Sequence, residues 1–133
     1  MRTKVAAMMA ALVVISAAPL LAHHSFAAEF DQSKPVKVTG SVSKIEWTNP
    51  HIWIYVDVKE SDGNVTTWGF QGGPPSYLYR AGWTRNSLKL GDIITVQGFS
   101  AKDGSKHASS RGITLPDGRK VFAGSAADTG EPQ

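Results

Sequence analysis

Between Val36 and Phe122 the apolar residues recur at every second position in short runs, and turns carrying Gly or Pro separate the runs. A period of two is the side-chain period of a strand, so this stretch is committed to sheet. Val36, Val38, Gly40 and Val42 alternate with polar residues, and Ile45 and Trp47 continue in the opposite phase. Such a slip predicts a bulge near Ser43-Lys44 that bends the first strand. Asn49-Pro50 breaks the run. Ile52, Ile54, Val56 and Val58 then share one face of a second strand, with Trp53, Tyr55 and Asp57 on the other. Ser61-Asp62-Gly63-Asn64 is a hairpin signal, because Asp-Gly readily takes positive φ, and Val65 to Phe70 is the return strand.

Gly72-Gly73-Pro74-Pro75 closes this meander. A short helix is expected over Ser76 to Ala81, with Pro75 near its first turn and Gly82 as a left-handed stop. Ile93 to Ala101 reads as a strand and Asp103-Gly104 as a second hairpin signal. His107 to Leu115 reads as a further strand, and Pro116-Asp117-Gly118 turns into a short last one, Arg119 to Phe122. This order predicts an all-β protein, a small OB-like closed or partly open barrel with one short helix between the third and fourth strands. An SH3-like barrel and a small sandwich use similar strand spacing.

The start of the chain has the form of an export signal. Arg2 and Lys4 precede an uncharged apolar run, Val5 to Ala18, and Pro19-Leu20-Leu21-Ala22 ends in a small residue before His23. The expected division is a cleaved signal over 1–22, an N-terminal arm over 23–35, the barrel over 36–123 and a disordered tail over 124–133. Cleavage after Ala27 and retention as a membrane anchor are the competing readings. A spanning helix needs about 20 predominantly apolar residues, and this stretch contains Pro19. A periplasmic or secreted protein with no stable membrane anchor after cleavage is expected. Arg2 and Lys4 leave with the signal, so 12 basic residues face 11 acidic ones. That balance, with charges interspersed, opposes a nucleic-acid partner. The chain has no cysteine, and its three methionines all precede His23. Disulfides, thiolate metal sites and soft sulfur ligands for Cu(I) are therefore excluded from the mature chain.

Several segments are recognisable together: His23-His24-Ser25-Phe26-Ala27-Ala28-Glu29-Phe30-Asp31, Glu46-Trp47-Thr48-Asn49-Pro50-His51, Trp68-Gly69-Phe70, Gly72-Gly73-Pro74-Pro75, Gly91-Asp92 and Thr114-Leu115-Pro116-Asp117-Gly118-Arg119. With these the chain resembles an uncharacterised family of small exported bacterial proteins, domain of unknown function 6152. The resemblance implies export and a single domain, and no reaction.

Two constellations point to chemistry. The first is His23, His24 and His51. Imidazole is a common ligand for Cu(II) and Zn(II). If cleavage exposes His23, its amine and ring nitrogen can chelate one ion, with His24 or His51 adding a nitrogen and Glu29 or Asp31 an oxygen. The competing reading is a loose terminus with His51 as a structural residue, and no cofactor is assured. The second is aromatic. Trp53 and Tyr55 share one strand face, and so do Trp68 and Phe70, so four rings are expected to form one ligand patch. Alternatively the arm, through Phe26 and Phe30, covers those rings. Tyr77, Tyr79 and Trp83 read as core packing. Ser109-Ser110 has no nucleophile-elbow context and no carboxylate pair suggests acid–base work, so a binder is favoured over an enzyme. The expected partner is a small ligand or a periplasmic protein.

Overall fold

The structure is a computed structural model and describes residues 26–124. The signal segment, His23 and His24 and the last residues of the tail lie outside the described residues. A helical turn over 26–29 leads into strands β1 (Phe30–Glu46), β2 (Trp53–Lys59) and β3 (Val65–Gln71). Helix α1 (Pro75–Arg80) follows, then β4 (Ile93–Ala101), β5 (His107–Thr114) and β6 (Lys120–Phe122). The protein is therefore mostly β, with one short helix between the third and fourth strands.

The six strands form one sheet in the order β3-β2-β1-β4-β5-β6. Neighbours in that order run antiparallel. One further pairing, β3 with β5, is parallel and joins Gly69, Phe70 and Gln71 to His107, Ala108 and Ser109. The pairings thus run in a ring from β1 through β2, β3, β5 and β4 back to β1. The long first strand makes this possible by serving two partners. Its first part pairs with β4 and its last part with β2, and Ser41 faces both Ile93 and Asp57. Gly40 sits at that crossing, where an added Cβ would lie 2.2 Å from the Asp57 carbonyl oxygen. The bulge expected near Ser43-Lys44 is present: Val42 faces Val56 and Lys44 faces Tyr55, which leaves Ser43 as the extra residue.

β1 begins at Phe30, earlier than the Val36 start read from the sequence. Asp31 to Pro35 is polar and carries a proline, so its alternation is too weak to announce a strand. Pairing supplies what propensity does not: Phe30 faces Ala101 and Pro35 faces Phe99 on β4, with a register irregularity between them. Helix α1 begins at Pro75, whose fixed φ suits a first helical position. It ends before Gly82, which takes φ +92°.

The core lies inside the ring. Ile52 just before β2, Ile54 and Val56 on β2 and Phe70 on β3 are fully buried, and Ile94 and Val96 meet them from β4. Burying a side chain of this size stabilises by about 1.5–3 kcal/mol. Leu78 on α1 and Trp83 after it close one end, and Tyr77 packs partly against the core; Tyr79, expected in the core, is instead 48% exposed and meets the Trp47 ring edge-on from outside. The Trp83 indole N–H donates to the Phe122 carbonyl at 2.9 Å, tying that end to β6.

β4 and β5 approach each other closely at Gly98. An added Cβ there would lie 1.6 Å from the Ser109 carbonyl oxygen, whereas one at Gly112 meets nothing within 4 Å. Gly98→Ala is therefore expected to destabilise the fold by about 3 kcal/mol or more through backbone displacement. Gly112→Ala is expected to change stability by no more than about 0.5 kcal/mol. Urea denaturation of the two variants checks this, and equal midpoints would contradict the packing.

Candidate ligand-binding site

The outer face of the ring carries an ordered row. In register across four strands stand Lys44 on β1, Tyr55 on β2, Gly69 on β3 and His107 on β5. A second row runs from Glu46 through Trp53 to Gln71. Gly69 is the notch that lets the rings meet. A Cβ there would lie 2.7 Å from the His107 ring and 3.2 Å from the Tyr55 ring.

The aromatic groups gather around this notch. Trp53 and Tyr55 stack with centroids 6.3 Å apart and planes at 23°. The His107 ring meets Trp53 edge-on at 5.5 Å. Edge-to-face and offset contacts of this kind are the favourable arrangements of aromatic quadrupoles. The Lys44 ammonium lies 5.1 Å from the Tyr55 centroid and also pairs with Glu46. The Tyr55 hydroxyl donates to Glu46 at 3.2 Å. All of these side chains except Lys44 and His107 are half-buried, and those two are exposed.

Beside Trp53 and His107 opens a cleft of about 570 Å³. Ala28, Glu29 and Phe30 form one wall and the β4–β5 turn, Lys102 to Ser105, forms another. Lys102 fastens the arm to this turn: its backbone N–H donates to the Glu29 carbonyl at 2.8 Å, and its ammonium donates to the Ala27 carbonyl. Phe26 packs on Phe30 at 5.4 Å, and Phe30 is buried outside the main core cluster. The arm therefore walls the Trp53 side of the sheet and leaves Trp53 itself half-exposed.

The contacts along the turn run Asp103, Ser105, His107. The Ser105 hydroxyl lies 3.2 Å from His107 Nδ1, and the Asp103 carboxylate accepts from the Ser105 N–H at 2.9 Å. The Ser105 side chain and backbone hold the Asp103 carboxyl below its ordinary pKa. The carboxylate engages the serine rather than the far nitrogen of the imidazole. This is a turn cap that orients His107, not the serine–histidine–carboxylate order of a nucleophile relay.

The expected four-ring patch does not form. Trp68 faces Val56 and Phe70 faces Ile54, so both stand on the inner side of the sheet, opposite to Trp53 and Tyr55. Phe70 is fully buried; Trp68 packs partly against the core, stacks on Phe70 at 6.1 Å and lies under the Lys106 ammonium. The cause is one residue in the hairpin. A two-residue Asp62-Gly63 turn would pair Ser61 with Asn64 and put all four rings on one face. Instead the Glu60 N–H donates to the Asn64 carbonyl at 2.8 Å, and the loop is Ser61-Asp62-Gly63 with Gly63 at φ +88°. A one-residue change of register moves every side chain of the return strand to the other face.

His51 Nδ1 lies 3.1 Å from the Gly72 carbonyl oxygen; a carbonyl only accepts, so Nδ1–H is the donor. His23 and His24 lie outside the described residues, so their predicted convergence with His51 has no described geometry. Among the described residues no three His, Asp or Glu side chains group closely enough to hold a metal ion. His107, which stands alone in sequence, is the histidine brought to the aromatic cluster. Only the long-range β3–β5 pairing reveals it.

Two titrations report this geometry. Burial first, and the Glu46 charge second, raise the Tyr55 hydroxyl above its ordinary value. Hydrogen bonding from Lys44 holds the Glu46 carboxyl low. A raised phenol pKa means that Tyr55 contributes stability below the unfolded tyrosine pKa, which is lost as pH rises through the folded one. Glu46→Gln is expected to lower the Tyr55 midpoint, read by NMR of the ring carbons. An unchanged midpoint would contradict the contact.

Among curated proteins no match is found. A family model does match: the family of unknown function DUF6152, over residues 10–110, which includes the described part of the arm, β1 to β4, the β4–β5 turn and the first half of β5. That span is most of the sequence, and the chain belongs to this family of unknown function.

Proposed function

We propose that the strand ring is an OB-like barrel and that the protein is a periplasmic or secreted binding module. It takes a small cyclic ligand, or the ring of a partner's side chain, on Trp53 and Tyr55 beside His107. The observation that carries this reading is the half-exposed Trp53–Tyr55 stack, with His107 edge-on, opening into a cleft of about 570 Å³. That volume lies within the range of about 300–1,000 Å³ typical of small-molecule sites. Trp53 supplies a stacking surface, Gln71 and His107 supply hydrogen-bonding groups, and the Lys44–Glu46 pair supplies charge of both signs at the rim. The ring order β1-β2-β3-β5-β4, with its single parallel pairing, supports the barrel reading. Trp68 and Phe70 serve the inner side of the same hairpin and support the platform from beneath.

A second reading is a Cu(II) or Zn(II) site built from His23, His24 and His51. One observation favours it. His51 directs Nδ1–H to a backbone carbonyl, the second contact that metal-ligating histidines commonly make, which leaves Nε2 as the ligand nitrogen. On this reading His23 supplies its amine and ring, and affinity falls as the imidazoles protonate.

One titration series separates the two. The processed protein, its N-terminus fixed by mass, is titrated with a panel of disaccharides, nucleosides and aromatic amino acids, and separately with Cu(II) and Zn(II) against a chelator. The binding-module reading predicts saturable shifts of the Trp53 indole N–H with one ligand class. It also predicts affinity about tenfold or more weaker in Trp53→Ala, the weight of one stacked ring. Shifts confined to other residues, or affinity unchanged in Trp53→Ala, would contradict it. The metal reading predicts one-to-one binding tighter than that of a His-His peptide and lost in His51→Ala.

A further inference from the structure

A second groove lies where β1, β4, β5 and β6 run side by side. It encloses about 750 Å³ and shares no lining residue with the Trp53 cleft. Pro35, Phe99 and Phe122 give it an apolar wall, the two rings half-buried, while Val36 faces Gly98 and packs toward the core. Lys37 and Arg111 flank it, and no carboxylate lines it. Among the described residues the ion pairs involve Lys34, Lys44 and Arg119, so neither Lys37 nor Arg111 has an acidic partner.

Arg111 is placed there by a backbone device. Ser110 faces Gly98 and Gly112 faces Gln97, so Arg111 is the extra residue of a β-bulge in β5. A bulge re-aims the side chain it carries. Here it sets the guanidinium over the Phe99 ring, 5.4 Å from the centroid. The ring covers one face of the guanidinium and leaves its N–H edges available, and those edges fit an oxyanion in a forked geometry. Gly112 keeps the floor beside it open, since an added Cβ there meets nothing within 4 Å.

We propose that this groove binds a free single-chain anionic amphiphile, a medium-chain carboxylate. Its alkyl chain lies along Pro35, Phe99 and Phe122 across Gly112. Its head group sits on the Arg111 N–H edges with Lys37 beside it. The apolar wall provides affinity and the two unpaired cations provide the selection for negative charge.

The test is an NMR and calorimetric titration of the processed protein with decanoate, decanol and decyltrimethylammonium. Decanoate is expected to bind one-to-one and to shift the amides of Arg111, Gly112 and Phe122. Decanol is expected to bind at least about tenfold more weakly, the weight of a charge-assisted hydrogen bond, and the ammonium more weakly still. Arg111→Gln is expected to weaken decanoate about tenfold and to leave decanol unchanged. Gly112→Leu fills the groove and removes binding of both, with the fold verified by an unchanged amide spectrum elsewhere. Equal binding of decanoate and decanol, shifts mapping to the Trp53 cleft, no binding of decanoate, or occupation of the groove by a second copy of the chain would each overturn the proposal.

Discussion

The parallel contact between β3 and β5 holds the architecture together. Without it the six strands are an open sheet with two edges; with it, five of them close on a common interior. The contact is short, three residue pairs, and is anchored where the Gly69 N–H donates to the Lys106 carbonyl at 2.9 Å. It brings Phe70 and Ala108, both fully buried, side by side in the core. On the outside it places His107 next to Tyr55 with only Gly69 between. Core and candidate site are therefore two faces of one pairing.

Glycines at strand positions mark where this closure demands close approach. Gly40 allows β1 to pass from β4 to β2, Gly98 lets β4 meet the bulged β5, and Gly69 lets two rings meet across β3. None of these needs a positive φ. Each is required because a side chain would occupy space already filled by a carbonyl or a ring. The turn glycines Gly63 and Gly104 do the other work, supplying φ of +88° and +78° at the two hairpins.

What was legible in the sequence is what local pattern encodes. The alternation of Ile52, Ile54 and Val56 correctly marks an inner face, and the phase slip after Val42 marks the bulge. The Pro75 and Gly82 punctuation marks the helix. The sequence could not distinguish a two-residue from a three-residue loop at Asp62-Gly63, and that difference decides which way Trp68 and Phe70 face. Nor does any local signal announce that His107 meets Trp53, since the residues that join them are far apart in the chain. The early start of β1 is hidden for a related reason: Phe30 and Pro35 are held by β4 across an irregular polar stretch, not by local propensity. The histidine site read from His23 and His24 rests on residues beyond those described, and His51 alone carries its geometry.

The surface is divided by these same elements. The arm, clasped by Lys102, walls the Trp53 cleft, and the bulge at Arg111 shapes the second groove. The groove rests on the antiparallel β4–β5 pairing, and the cleft with its His107 rests on β5 lying parallel to β3. A NOESY spectrum of the processed protein tests that placement most directly. Cross-peaks are expected from the Gly69 α-protons to the His107 ring Hδ2 and to the Tyr55 ring. Peaks to Tyr55 without peaks to His107 would mean that β5 does not close on β3, and would contradict both the ring and the site built on it.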